Sequence, residues 1–121
     1  MSVKREYEQA YASFWRSLKN FLLHNSGFKV SGVARSGSRR EGTHKSRSDL
    51  DVIFAIYGDP EKREVYTPLV ERLKKGLNVR SDKGSSYNVI KIWKNQISCD
   101  LVLRTESDFK AQVKSQKYRK E

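Results

Sequence analysis

The sequence predicts an α+β domain in which helices back a β-sheet, and three observations carry that prediction. Apolar residues recur at helical spacing near the N-terminus, a β-rich apolar run occupies the middle of the chain, and two further apolar runs flank a turn candidate at Lys94-Asn95-Gln96. At 121 residues and 14.1 kDa the chain fits one domain with one core.

From Lys4 to His24 the residues Tyr7, Tyr11, Phe14, Trp15, Leu18, Phe21 and Leu22 fall on one side of a helix, with charges on the other. Asn25-Ser26-Gly27 supplies a stop, and Phe28 to Ala34 alternates toward a strand that ends at Gly37-Ser38. Leu50 to Tyr57 is the most apolar, β-rich run and reads as a buried central strand, broken by Gly58-Asp59-Pro60. Glu61 to Lys75 reads as a helix with Val65, Leu69, Val70 and Leu73 on one face and Gly76 as its C-terminal stop. Val89 to Trp93 and Ile97 to Leu103 form a β-hairpin, and its second strand carries Asp100. Residues 1–104 make the folded unit by this reading, and 105–121 a basic tail, disordered or a short helix anchored by Phe109, Val113 and Tyr118.

Lysine and arginine number 25 against 14 acidic residues, a formal charge of +11, which favours a polyanionic ligand such as nucleic acid or a nucleoside triphosphate. A solvated, evenly charged surface is the bland alternative. The single cysteine, Cys99, forms no internal disulfide and points to a reducing compartment. No apolar run approaches the length of a membrane span, and the N-terminus opens with mixed charges. The expectation is therefore a soluble intracellular protein, cytoplasmic or nuclear.

Asp49 and Asp51 stand two apart at the start of the central strand, so their side chains share a face while Leu50 and Val52 turn to the core. Like charges that close repel, and a divalent cation would neutralise them. Carboxylate oxygens suit Mg²⁺ or Mn²⁺, and the isolated His24 and His44 remove a zinc reading. Asp100 lies in an otherwise apolar strand, where pairing beside Asp49 and Asp51 would give it a reason; the alternative is a capped or salt-bridged structural acid. Three carboxylates with two metals about 3.5–4 Å apart perform phosphoryl-type transfer. Gly37 and Ser38 at a strand end form a turn suited to phosphates, and Arg39, Arg40, Lys45 and Arg47 add positive charge to the same loop as candidate nucleotide-binding residues.

The segment Gly37-Ser38-Arg39-Arg40-Glu41-Gly42-Thr43-His44-Lys45-Ser46-Arg47-Ser48-Asp49-Leu50-Asp51-Val52 resembles the signature of the DNA polymerase beta-type nucleotidyltransferase superfamily, with the spacing of its small single-domain members. The resemblance covers roughly Phe28 to Leu103 and implies the nucleotidyltransferase-like fold, a mixed sheet backed by helices. It implies that Gly37 and Ser38 contact the triphosphate and that Asp49 and Asp51 bind both metals. Asp100 would bind one metal and help deprotonate the acceptor hydroxyl, with ATP, CTP, UTP, GTP or a deoxynucleotide as donor. Two features depart from the pattern. Arg35-Ser36 stands before Gly37 where many relatives carry an aromatic or aliphatic residue, and the 121 residues hold no helical domain of the kind that clamps base and acceptor in poly(A) polymerases, CCA-adding enzymes and oligoadenylate synthetases.

The expected activity is transfer of a nucleoside monophosphate to a hydroxyl, with nucleic acid the favoured acceptor and a partner protein supplying any recognition domain. Two rivals stand beside it. One is a nucleotidyltransferase-like binding subunit or antitoxin-like partner with little catalysis, and the other a basic nucleic-acid-binding module. Tyr87, Trp93 and Tyr118 can stack on bases, although hairpin support or core packing is the simpler role for Trp93. Cys99 alternates with Asp100 and so reads as a small core residue.

Overall fold

The computed structural model describes residues 3–36, 49–81 and 89–115. Helix α1 (Val3–His24) is followed by strands β1 (Val30–Ser36) and β2 (Leu50–Ile56), helix α2 (Lys62–Leu77), strands β3 (Arg80–Ser81), β4 (Ile90–Lys94) and β5 (Ile97–Arg104), and helix α3 (Glu106–Ser115). The strands form one sheet in the order β1-β2-β5-β4-β3. Only β2 and β5 run parallel; the other three pairings are antiparallel, so the sheet is mixed.

Strand periodicity divides the sheet into two chemically different faces. Leu50, Val52, Phe54 and Ile56 of β2, Cys99, Leu101 and Leu103 of β5, and Ile90 and Ile92 of β4 are buried in one apolar core. Helix α1 closes that core with Tyr11, Phe14, Trp15, Leu18, Phe21 and Leu22, and α2 with Val65, Leu69 and Leu73, the stripe the sequence predicts for each. At about 25 cal/mol per Å² of apolar surface removed from water, this layer is the main source of stability. The opposite face carries Asp51, Ile53 and Ala55 on β2 and Asp100 on β5, and α3 packs there against the far end of β1, β2 and β5.

Helix α3 is tied down at its start. Thr105 Oγ1 accepts the Asp108 N–H at 3.1 Å as an N-cap, and Asp59 Oδ1 accepts the Glu106 N–H at 2.7 Å, while Glu106 Oε2 accepts the Gly58 N–H at 3.2 Å. The ring of Phe109 lies against Gly32, where any Cβ would collide with it.

Several boundaries differ from the sequence expectation. The first strand starts at Val30 rather than Phe28 and runs to Ser36, next to the expected end at Gly37-Ser38, while the two residues of β3 are too few to show alternation in the sequence. Gly76 does not end α2. The helix runs to Leu77, and Asn78 takes the left-handed cap at φ 53°. Gly76 serves close approach instead, since a Cβ there would overlap the ring of the buried Phe21 on α1. The hairpin turn is Asn95-Gln96 alone, with Lys94 paired to Ile97 and Asn95 at φ 57°.

Gly76→Ala separates these two roles. Helix propensity alone would stabilise the alanine variant by about 1 kcal/mol, whereas overpacking against Phe21 costs about 1–3 kcal/mol. Urea unfolding is expected to show a net loss of about 1 kcal/mol; a net gain would mean that Phe21 moves aside freely.

Candidate active site

The sheet register assembles the polar face of the site. Ser36 on β1 stands opposite Asp51 on β2, Asp51 stands beside Asp100 on β5, and Asp100 stands opposite Lys91 on β4. Four strands thus contribute one transverse row on the face away from the apolar core. Asp49 precedes β2 by one residue and enters a neighbouring row, where its Oδ1 accepts a hydrogen bond from Ser98 Oγ of β5. Ser98 in turn lies opposite Trp93.

Asp49, Asp51 and Asp100 are therefore brought together, as their strand positions predict. Lys91 bridges two of them: Nζ lies 3.2 Å from Asp100 Oδ1 and 3.7 Å from Asp49 Oδ2. Asp100 Oδ1 is shut off from solvent and meets Lys91 as an ion pair. The Asp100 side chain is 26% exposed against 41% for Asp49, the deeper position of a residue within the sheet compared with one at its entry.

Electrostatics follow from this crowding. Burial pushes the Asp51 carboxyl above its usual range, and the charges of Asp100 and Asp49 add to the rise while Lys91 opposes it. Lys91 is held above the ordinary lysine range, chiefly by its contact with the Asp100 carboxylate. Cys99 sits fully buried on the other face, and burial, followed by the three aspartates, raises its thiol well above normal, which suits the inert core residue expected there.

Of the other predicted site residues, Gly37, Ser38, Arg39, Arg40, Lys45 and Arg47 lie outside the described residues, as do Tyr87, Tyr118 and His44. Arg35, whose place before the glycine departs from the resembled pattern, turns to the helical layer with its guanidinium 5.4 Å from the Trp15 ring centroid. Ser36 thereby faces Asp51 without interrupting β1. Trp93 supports the hairpin as expected but is not in the core: it is half-buried on the acidic face.

Lys91, Ser98 and Ser36 were not singled out from sequence. A signal for Lys91 exists, because pairing outward from a two-residue turn at Asn95-Gln96 places it opposite Asp100. A three-residue turn, the sequence reading, sets it against Cys99 instead.

The donor set suits a hard divalent cation: Asp51 and Asp100 are neighbours across β2 and β5, the Asp51 carboxyl is raised first by burial and then by the charges of Asp100 and Asp49, and among the described residues no thiolate or imidazole shares their face. Among the described residues no group of three or more His, Cys, Asp or Glu side chains is gathered as a ready-made metal cage. The ammonium of Lys91 stands within the acidic cluster instead.

Comparison with known proteins matches a family profile described as the nucleotidyltransferase domain to residues 15–120. The chain belongs to the nucleotidyltransferase domain family. No curated protein matches it significantly. Solved structures similar in fold include the following two. One is the Elizabethkingia meningoseptica CdnE cyclic dinucleotide synthase with GTP and Apcpp, at 19% identity and a TM-score of 0.55, covering 81% of this chain and 36% of that one. The other is the E. coli MS115-1 CdnC:HORMA-deltaN complex, at 19% identity and a TM-score of 0.55, covering 84% of this chain and 35% of that one. This nucleotidyltransferase domain thus spans about a third of the length of those neighbours, and it shares their α+β architecture. None of its described helices is long and apolar enough to cross a membrane.

The raised Asp51 carboxyl gives a pH signature. A carboxyl whose folded pKa exceeds its unfolded value favours the fold below the unfolded pKa of 3.8 and loses that contribution as pH rises through the folded pKa. Asp51→Asn is therefore expected to raise the melting temperature of metal-free protein at pH 7 by a few degrees, with the gain vanishing near pH 3.5. Calorimetry in chelator across that range checks it; a stabilisation independent of pH would assign the effect to packing.

Proposed function

We propose that this nucleotidyltransferase domain is a metal-dependent enzyme that moves a nucleoside monophosphate from an NTP or dNTP to an acceptor hydroxyl. The observation that carries this reading is the register of β2 with β5, which sets Asp51 beside Asp100 with Asp49 two residues upstream on the same face. Lys91 offsets part of the mutual repulsion of these carboxylates, and bound cations would relieve the rest.

In the reaction, the acceptor oxygen forms a bond to the α-phosphorus while the bond from that phosphorus to the bridging oxygen of the β-phosphate breaks. Pyrophosphate departs, and Asp100 takes the proton of the acceptor hydroxyl. Two Mg²⁺ or Mn²⁺ ions held by Asp49, Asp51 and Asp100 would supply charge neutralisation for the attacking and leaving oxygens. Ser98 orients Asp49 by its hydrogen bond, and the apolar layer beneath Leu50 and Val52 fixes the strand that carries the acids. Gly37 and Ser38 hold the triphosphate in this reading, with Arg39, Arg40, Lys45 and Arg47 as further phosphate contacts.

The +11 charge favours nucleic acid as acceptor. A second reading takes a nucleotide hydroxyl as acceptor, because one structural neighbour is a cyclic dinucleotide synthase with GTP and a nucleotide analogue bound. Half-buried Trp93, on the face of the acids, would stack on a base in either case. The other neighbour is in complex with a HORMA protein, and a protein partner here would supply recognition surface.

Each labelled nucleoside triphosphate, incubated with Mn²⁺ or Mg²⁺ and the protein, with and without a pool of RNA and DNA, distinguishes these readings. Label in the nucleic acid names that acceptor, and label in a dinucleotide formed from triphosphates alone names the other. Asp100→Asn is expected to slow either transfer by about 10²–10⁴-fold, and Asp49→Ala with Asp51→Ala to abolish it. Transfer that persists in the double variant contradicts the assignment.

A further inference from the structure

We propose that Lys91 is a built-in counter-ion of the acidic cluster, whose ammonium holds Asp49 and Asp100 together in the metal-free protein and is displaced when a divalent cation binds. The inference rests on the metal site of the proposed function. It adds a competing occupant that lowers metal affinity and keeps the empty site folded.

Three observations support it. Lys91 stands directly opposite Asp100 in the antiparallel ladder of β4 and β5, so the backbone delivers its side chain to the acidic face. Its Nζ lies 3.2 Å from Asp100 on β5 and 3.7 Å from Asp49 at the entry to β2, which is the position of a shared cation rather than of one pairwise bridge. Asp100 Oδ1 is also shut off from water and meets the Lys91 ammonium at 3.2 Å, so a coordinating metal would have to take the place of that ammonium to reach it.

The lysine is free to leave. Its side chain is 41% exposed, and a four-carbon stem can swing the ammonium into solvent or toward a bound phosphate without moving β4. Metal and lysine thus compete for the same carboxylate oxygens, and each weakens the other's hold by the same factor.

The test uses the full chain and Mn²⁺ alone as probe, comparing wild type with Lys91→Met and Lys91→Arg, and with Asp51→Asn as a control for the site itself. Two quantities are read: the melting temperature in chelator, and the Mn²⁺ dissociation constant from the electron paramagnetic resonance signal of free ion. The expected result is that Lys91→Met melts lower in chelator yet binds Mn²⁺ roughly tenfold more tightly, while Lys91→Arg stays near wild type and Asp51→Asn loses Mn²⁺. Lower melting with unchanged or weaker Mn²⁺ binding makes Lys91 a structural ion pair and overturns the proposal, while the metal site stands. Absence of Mn²⁺ binding in wild type and Lys91→Met alike overturns the metal site and the displacement with it. If Lys91→Met fails to fold, Lys91→Gln, which keeps a hydrogen-bond donor without the charge, carries the same comparison.

Discussion

The parallel pairing of β2 with β5 brings two aspartates to adjacent positions on one face of a sheet whose other face is a closed apolar core. Left alone, that arrangement opposes folding, since Asp51 is desolvated beside like charges. The rest of the domain holds it in place. Leu50, Val52, Leu101 and Cys99 alternate with the acids and are buried beneath α1 and α2, so the strands cannot slip by one residue without exposing the core. Hydrophobic burial thereby supplies the free energy that keeps the carboxylates together.

The same alternation explains why the site lies on one face only. Residues on the core side, Arg35 among them, serve the helical layer, while Ser36, Asp51, Asp100 and Lys91 form a polar row reaching across four strands. Helix α3 covers the other end of that face through Phe109 and Gly32. A mixed sheet is needed for this. The parallel β2–β5 pair aligns the acids from two separate segments, and the tight β4–β5 hairpin adds the lysine.

Much of this was legible in the sequence. The α1 stripe, the apolar run of β2, the hairpin and the placing of Asp49 and Asp51 on one face all follow from periods of 3.6 and 2. What escaped depends on longer-range geometry. Gly76 resembles a helix stop, but its role is set by Phe21 on another helix, and Asn78 bears the left-handed cap. Lys91 escaped because reading the turn as three residues rather than two shifts the hairpin register by one and turns every side chain to the other face. Trp93 was placed on the hairpin but not on the acidic face for the same reason. The phosphate-binding roles of Gly37 and Ser38 rest on turn chemistry and the sequence resemblance, and those of Arg39, Arg40, Lys45 and Arg47 on their charge, since these residues lie outside the described ones.

In the proposed function, divalent cations carrying a nucleotide resolve the repulsion among the three aspartates. Crystals grown with Mn²⁺ and a non-hydrolysable triphosphate, measured at the manganese absorption edge, are expected to show two anomalous peaks about 3.5–4 Å apart, in contact with Asp49, Asp51 and Asp100, and Lys91 Nζ withdrawn from Asp100. A lysine still bridging Asp49 and Asp100, with no anomalous peak at the carboxylates, would contradict it.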